Sequence, residues 1–209
     1  MSLLDLDRFD AVPLESDPCH YLVVPGFVRA DAMAKINADY PAIAEPGNFP
    51  LEGLAYGPAF RAFVDELTGP EVKRHFAAKF AMDLDPYPTQ MTIRRLADVD
   101  DGHIHNDSIT KKITILIYLN SDWDQEGGRL RILRSERNLY DYAVEVEPRG
   151  GTLLAFRRNE RSFHGFKPCR GERRTLQMYW VEPKRASRGA KSKRGRVAKF
   201  LKRTLRPTK

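Results

Sequence analysis

The chain has 209 residues, 42% hydrophobic and 30% charged, which suits one domain with a sizeable core. No apolar run approaches the roughly 20 residues needed to span a bilayer, and the two cysteines, Cys19 and Cys169, have no metal-type spacing. The net charge of +7 is unevenly placed: residues 184–209 hold 12 Lys and Arg and no acid, so 35 basic residues less those 12 leave 23 against 28 acidic ones before them, a net of −5. Asp5, Asp7, Arg8 and Asp10 stand where a signal peptide would carry a basic and then an apolar region. With two thiols and no such leader, the expectation is a reduced cytoplasmic setting, with peripheral membrane contact left to the tail.

Tyr21 to Val24 is a short apolar run closed by Pro25-Gly26, read as a strand and turn. Asp31 is placed to cap a helix through about Tyr40, with Ala32, Ile36 and Tyr40 on one stripe. A loop over 45–54 follows. A second helix is expected over Pro58 to Leu67, burying Phe60, Phe63, Val64 and Leu67, and a third from about Glu71 to Phe80. From Thr89 the pattern changes to strands: Gln90–Leu96, Ile113–Leu119, Arg129–Arg134, Val144–Val146, Thr152–Phe156 and Arg174–Val181. Helices first and at least six short strands afterwards predict an α+β protein, a double-layered β-barrel or jelly roll with helices against one side.

The chemistry gathers at His105-Asn106-Asp107. Two His and one Asp form the set that holds non-haem Fe(II) on one face and leaves positions open for substrate and O2. The dyad alone proves little, because five His and 28 acidic residues give about 0.7 His-x-acid matches by chance. Period-2 geometry puts His105 and Asp107 on one face of an extended segment, and His164 can return opposite them across a closed double sheet. Arg174 opens a strand in which Leu176, Met178 and Trp180 share its face. A cation facing inward among them needs an anionic partner, which a dicarboxylate co-substrate supplies through two parallel hydrogen bonds.

The order His105-x-Asp107, Ile115-Leu116-Ile117-Tyr118-Leu119-Asn120, Trp123, Gly127-Gly128-x-Leu130, Pro148-x-Gly150, Phe156, His164-Gly165-Phe166-x-Pro168, Arg174 and Trp180 resembles the Fe(II)/2-oxoglutarate-dependent dioxygenases. Within them it is most similar to the prolyl 4-hydroxylase and hypoxia-factor prolyl hydroxylase branch. The resemblance implies a double-stranded β-helix (jelly-roll) core with Fe(II) bound by His105, Asp107 and His164. It implies that Arg174 holds the distal carboxylate of 2-oxoglutarate, with Tyr118 donating to the same group. Thr114, on the Tyr118 face, is a further pocket-lining candidate, and Arg173 is a weaker candidate than Arg174, because counting back six residues from Trp180 favours Arg174 and alternation would turn Arg173 outward. The implied reaction consumes O2 and 2-oxoglutarate, hydroxylates a peptidyl proline or a small molecule, and releases succinate and CO2, with ascorbate a candidate reductant.

Competing readings are weaker. His103-Ile104-His105 could serve a cupin, but Ser108, Ile109 and Thr110 stand where its Glu would be. His20 and His75 have no partner cluster, and Asp98, Asp100 and Asp101 lack the Gly and terminal Glu of a calcium loop. Arg157, Arg158 and Arg161 form a basic loop before His164. The expected organisation is a dioxygenase domain over 1–183, with helical support in 1–88 and the β-helix core in 89–183, then a basic tail over 184–209. That tail reads as disordered or as an amphipathic helix suited to an anionic membrane surface. Nucleic acid ranks below lipid, for want of a recognisable nucleic-acid fold. The second reading is a non-catalytic β-helix module tethered to a membrane or polymer by that tail, and the oligomeric state is left open.

Overall fold

The computed structural model of the protein describes residues 2–183. The expectations for the tail 184–209 lie outside the described residues. The N-terminal third supplies the helical layer. Helix α1 (Leu6–Ala11) is capped by the Asp5 carboxylate, which accepts from the Arg8 backbone N–H at 3.0 Å, and it buries Phe9. Strand β1 (Tyr21–Val24) follows, then α2 (Ala30–Ala38), which begins two residues earlier than expected. Asp31 therefore sits in the first turn, where the helix dipole favours a carboxylate, and does not cap it. The two-residue β2 (Phe49–Pro50) leads to α3 (Pro58–Leu67) and α4 (Pro70–Lys79), each starting on a proline that needs no N–H donor there.

Seven strands complete the fold: β3 (Thr89–Ala97), β4 (Lys111–Tyr118), β5 (Leu130–Leu133), β6 (Tyr142–Val146), β7 (Leu153–Arg157), β8 (His164–Gly165) and β9 (Gly171–Val181). Two antiparallel sheets result, one in the order β1-β7-β4-β9-β3-β2 and the other β6-β5-β8. This is the jelly-roll architecture expected from the strand texture.

The larger sheet is buried on both faces, and the two faces differ in chemistry. Ile113, Ile115 and Ile117 of β4 and Leu176, Met178 and Trp180 of β9 join Phe9, Phe60, Phe63 and Phe76 of the helices in one apolar core. Leu116 and Tyr118 look the other way, toward Leu130 and Ile132 of the smaller sheet and Phe156 of β7. On that second face β9 carries Arg173, Thr175, Gln177 and Tyr179. The polar face lines the space between the sheets, and the apolar face rests on the helices.

Candidate metal and co-substrate site

The site is built where the edge of the smaller sheet meets the larger one. His105 and His164 face each other across an antiparallel bridge, with His105 N–H donating to the His164 carbonyl at 3.0 Å and His164 N–H returning at 2.9 Å. Their rings lie 4.3 Å apart between centroids. Asp107, two residues along the extended segment, completes a set whose ligand atoms all lie within 4.8 Å of one another. Gly165 makes this closure possible: a Cβ there would lie 2.8 Å from the Gly102 carbonyl and 3.2 Å from the Ile104 Cα. Gly102 itself has φ +93° and passes against Phe166, whose N–H donates to its carbonyl at 2.9 Å.

Each of the three candidate ligands is oriented from behind. His105 Nδ1 is 2.9 Å from the His103 carbonyl and His164 Nδ1 is 3.0 Å from the Ser162 carbonyl, so both rings donate from Nδ1 and leave Nε2 for an ion. Burial pushes the His164 pKa down to about 4, against the pull of Asp107, and the imidazole is neutral, as a ligand must be. Asp107 accepts from Thr114 Oγ1 at 2.5 Å on one oxygen and from Lys111 Nζ at 2.6 Å on the other. Burial alone would raise that carboxyl. The His164 imidazole, the Lys111 ammonium and the two hydrogen bonds outweigh burial and hold it below the usual carboxylate value. At neutral pH, with His164 uncharged, Lys111 is the cation Asp107 meets.

Asn106 fastens the motif to the loop before His164. Its Oδ1 accepts from Ser162 Oγ and from the Asp107 N–H, both at 2.8 Å, while its Nδ2 donates to the Asn159 carbonyl at 2.8 Å.

A pocket of about 330 Å³ opens from these ligands along the polar face of the larger sheet. Leu116, Leu130 and Phe166 form its apolar walls, and Arg173, Gln177 and Tyr179 line it from β9. Arg173 is 1% exposed. Its Nε donates to the Gly128 carbonyl at 2.9 Å and its Nη1 to Thr175 Oγ1 at 3.2 Å, but Nη2 has no hydrogen-bond partner. The guanidinium lies over the rings of Phe166 (4.4 Å) and Tyr118 (5.4 Å). The Tyr118 hydroxyl, also wholly buried, makes no hydrogen bond of good geometry, and its one polar neighbour is the Arg173 guanidinium, with which it interacts. Burial lowers the Arg173 pKa and raises that of Tyr118, yet a guanidinium stays charged at neutral pH. Among the described residues no carboxylate lies within ion-pair distance of Arg173. A buried cation beside a buried hydroxyl, with no carboxylate paired to the cation, has the chemistry to take one.

The placement of Arg174 corrects the sequence-based expectation. Its side chain leaves the pocket for α2, where Nη1 donates to the Asn37 carbonyl (3.3 Å) and Oδ1 (3.2 Å); Nε pairs with Glu172 at 2.6 Å. The guanidinium lies 5.2 Å from the Tyr40 ring. Arg174 does share a face with Leu176, Met178 and Trp180, but that face packs on the helices. Arg173, which alternation assigns to the outward face, is the residue that faces the pocket. Thr114 lines the pocket as expected, but its hydroxyl is engaged with Asp107, which makes it a support for the ligand. His103 lines the pocket mouth outside the ligand set. In the basic loop, Arg158 pairs with Glu160 and reaches the Asp107 carbonyl at 3.4 Å, and Arg161 pairs with Asp17. His75 pairs with Asp10, far from the site.

Lys111 was missed. Alternation from Ile113 assigns it to the helix face, but the register shifts between Lys111 and Ile113, and the extra residue turns the ammonium into the pocket.

Residues 91–182, which hold most of the β-helix, match the 2OG-Fe(II) oxygenase superfamily. Enzymes of that family use Fe(II), 2-oxoglutarate and O2, and the His2Asp set with its carboxylate site fits both the ion and the co-substrate. Solved structures share the fold. A prolyl 4-hydroxylase from Pseudomonas putida is 19% identical over 80% of this chain and 95% of its own, with a TM-score of 0.57. A 2OG-Fe(II) oxygenase-family oxidoreductase from Burkholderia pseudomallei is 16% identical over 78% of this chain and 86% of its own, with a TM-score of 0.56. A Trichoplax adhaerens prolyl hydroxylase, in complex with a peptide fragment of the hypoxia inducible factor oxygen degradation domain, is 13% identical over 85% of this chain and 90% of its own, at 0.55. No curated protein matches the chain by sequence.

Proposed function

We propose that this oxygenase hydroxylates a C–H bond of a peptide or small-molecule substrate, with 2-oxoglutarate as co-substrate and succinate and CO2 as products. One observation carries the co-substrate: Arg173, buried and with no carboxylate partner among the described residues, lines the same pocket as His105, Asp107 and His164, with the buried Tyr118 ring 5.4 Å from its guanidinium. His105 Nε2, His164 Nε2 and one Asp107 oxygen would hold Fe(II). With 2-oxoglutarate bound, the metal supplies the oxidising chemistry, in which O2 is consumed, the co-substrate is decarboxylated and a C–H bond becomes C–OH.

The chain's own residues bind, orient and enclose. The Arg173 guanidinium and Tyr118 hydroxyl take the distal carboxylate of 2-oxoglutarate, a role the sequence assigned to Arg174 and Tyr118. Leu116, Leu130 and Phe166 exclude water along its methylenes, which strengthens the charged contact at the far end. Thr114 fixes the Asp107 carboxylate, and the Ser162 and His103 carbonyls fix the imidazoles. The prolyl-hydroxylase neighbours support a peptide or amino-acid-like substrate.

The alternative of a non-catalytic module would be favoured by a missing ligand. All three are present and converge, and no observation on the described residues favours membrane tethering.

Anaerobically reconstituted protein, exposed to O2 with Fe(II) and 2-oxoglutarate, is expected to form succinate. A substrate should gain the mass of one oxygen atom. Wild type that binds neither metal nor 2-oxoglutarate would refute the proposal, and His164→Ala should abolish turnover.

A further inference from the structure

Lys111 is the pocket residue whose present partner is needed elsewhere. Its ammonium sits 2.6 Å from Asp107 Oδ1 and 3.6 Å from the centre of the Tyr179 ring, with 22% of the side chain exposed at the mouth. Asp107 Oδ2 is held by Thr114, a side chain in the body of β4 whose residue is 2% exposed. Both oxygens of the candidate metal-ligating carboxylate are therefore occupied by donors, one a buried hydroxyl and the other the end of a long, partly exposed side chain. An oxygen bound to a divalent cation is a poor acceptor for an ammonium at the same distance, because the two positive charges repel across it. The longer and more exposed donor, Lys111, is the one with room to yield.

The other charges at this end are largely accounted for. Arg94 donates to Asn48 and pairs with Asp101. Arg158 pairs with Glu160. Asp100 lies on the exposed outer rim, where water and salt screen it most. Tyr179 donates to Gln177 and meets Thr92 at 3.2 Å, so its ring is fixed beneath the ammonium. A cation on a fixed aromatic face, losing its carboxylate as the metal loads, stands between the metal ligands and solvent.

Resting on the proposed oxygenase reading, we propose that Lys111 is the specificity-determining cation of this site, and that the substrate presents a carboxylate to it. The Lys111 ammonium leaves Asp107 when metal binds and pairs with the substrate anion above Tyr179. Metal loading and recognition of an anionic substrate are thereby coupled through one side chain.

Two measurements test this, with the whole chain under anaerobic conditions. The first is Mn(II) affinity without 2-oxoglutarate. If Lys111 competes with the metal for Asp107, Lys111→Met tightens Mn(II) binding several-fold; if it only orients the carboxylate, the variant binds Mn(II) more weakly, which would overturn the proposal. The second uses the Mn(II)- and 2-oxoglutarate-loaded protein with a matched pair of probes, N-acetylproline and its neutral amide. Wild type is expected to bind the anion at least tenfold more tightly, Lys111→Arg to keep that preference, and Lys111→Met to lose it with 2-oxoglutarate affinity unchanged. Equal binding of the two probes, binding of neither, or a preference that survives in Lys111→Met would contradict it. Because Mn(II) and 2-oxoglutarate binding are measured separately, absence of both in wild type would count against the oxygenase reading instead.

Discussion

Exchanging Arg173 and Arg174 separately for methionine puts the assignment of the co-substrate site to a direct test. A guanidinium that meets a buried carboxylate through charge-assisted hydrogen bonds contributes about 1.5–3 kcal/mol per bond. Losing that contact should cost at least about 3 kcal/mol, or roughly two decades in 2-oxoglutarate affinity. Stability without ligand should move differently. Arg173→Met removes hydrogen bonds to the Gly128 carbonyl and Thr175, worth about 1 kcal/mol each, but it also removes a cation that is 1% exposed and has no ion-pair partner among the described residues. An uncompensated buried charge costs several kcal/mol, so the ligand-free variant should melt no lower than wild type while failing to gain stability from 2-oxoglutarate. Arg174→Met gives up partly exposed contacts to Glu172 and Asn37, worth about 1 kcal/mol or less, and should bind 2-oxoglutarate as wild type does. Calorimetric titration of the Mn(II)-loaded proteins, with thermal melts with and without 2-oxoglutarate, reads both quantities. Equal loss of affinity in the two variants, or an Arg173→Met protein within about threefold of wild type, would refute the reasoning.

Thr114→Val keeps the shape of the side chain but leaves Asp107 Oδ2 without its 2.5 Å donor, and metal affinity should fall about 10–100-fold while the fold persists by circular dichroism. Asn106→Ala unties the Ser162 and Asn159 contacts behind His164; equilibrium dialysis should show a similar loss of metal binding, and an unchanged affinity would mean the loop is held otherwise. Burial pushes the Cys19 thiol up to about 12. The raised value lowers its thiolate fraction at pH 8 to about 10⁻⁴, so alkylation of the native protein at this residue should be negligible and become rapid on unfolding. Rapid modification of native Cys19 would contradict its placement.

The convergence of the three candidate ligands was legible in the sequence, because order and spacing along strands survive into the fold: His105 and Asp107 are two apart on an extended segment, and His164 returns opposite them on β8. It also carried α3 to the residue, where Pro58 starts a stripe of Phe60, Phe63, Val64 and Leu67. The two pocket cations were misjudged for related reasons. Alternation separates the faces of β9 but does not say which face is the pocket when both are buried. The apolar row of Leu176, Met178 and Trp180 belongs to the helix core. Thr175, Gln177 and Tyr179, polar groups at alternate positions in a buried strand, were the available sign that Arg173 was the inward residue. Lys111 was hidden by the irregular register ahead of Ile113, which no periodic pattern reveals. Helix α1, six residues long, is too short to show a stripe.

The central claim is that His105, Asp107, His164 and Arg173 form one metal-dependent 2-oxoglutarate site. Anaerobic titration of 2-oxoglutarate into wild type and His164→Ala, each with and without Fe(II), tests it most directly. The account predicts strong binding only to wild type with Fe(II), and marked weakening in both metal-free samples and in the Fe(II)-treated variant. Binding of equal strength with and without Fe(II), or none to the Fe(II)-loaded wild type, would contradict it.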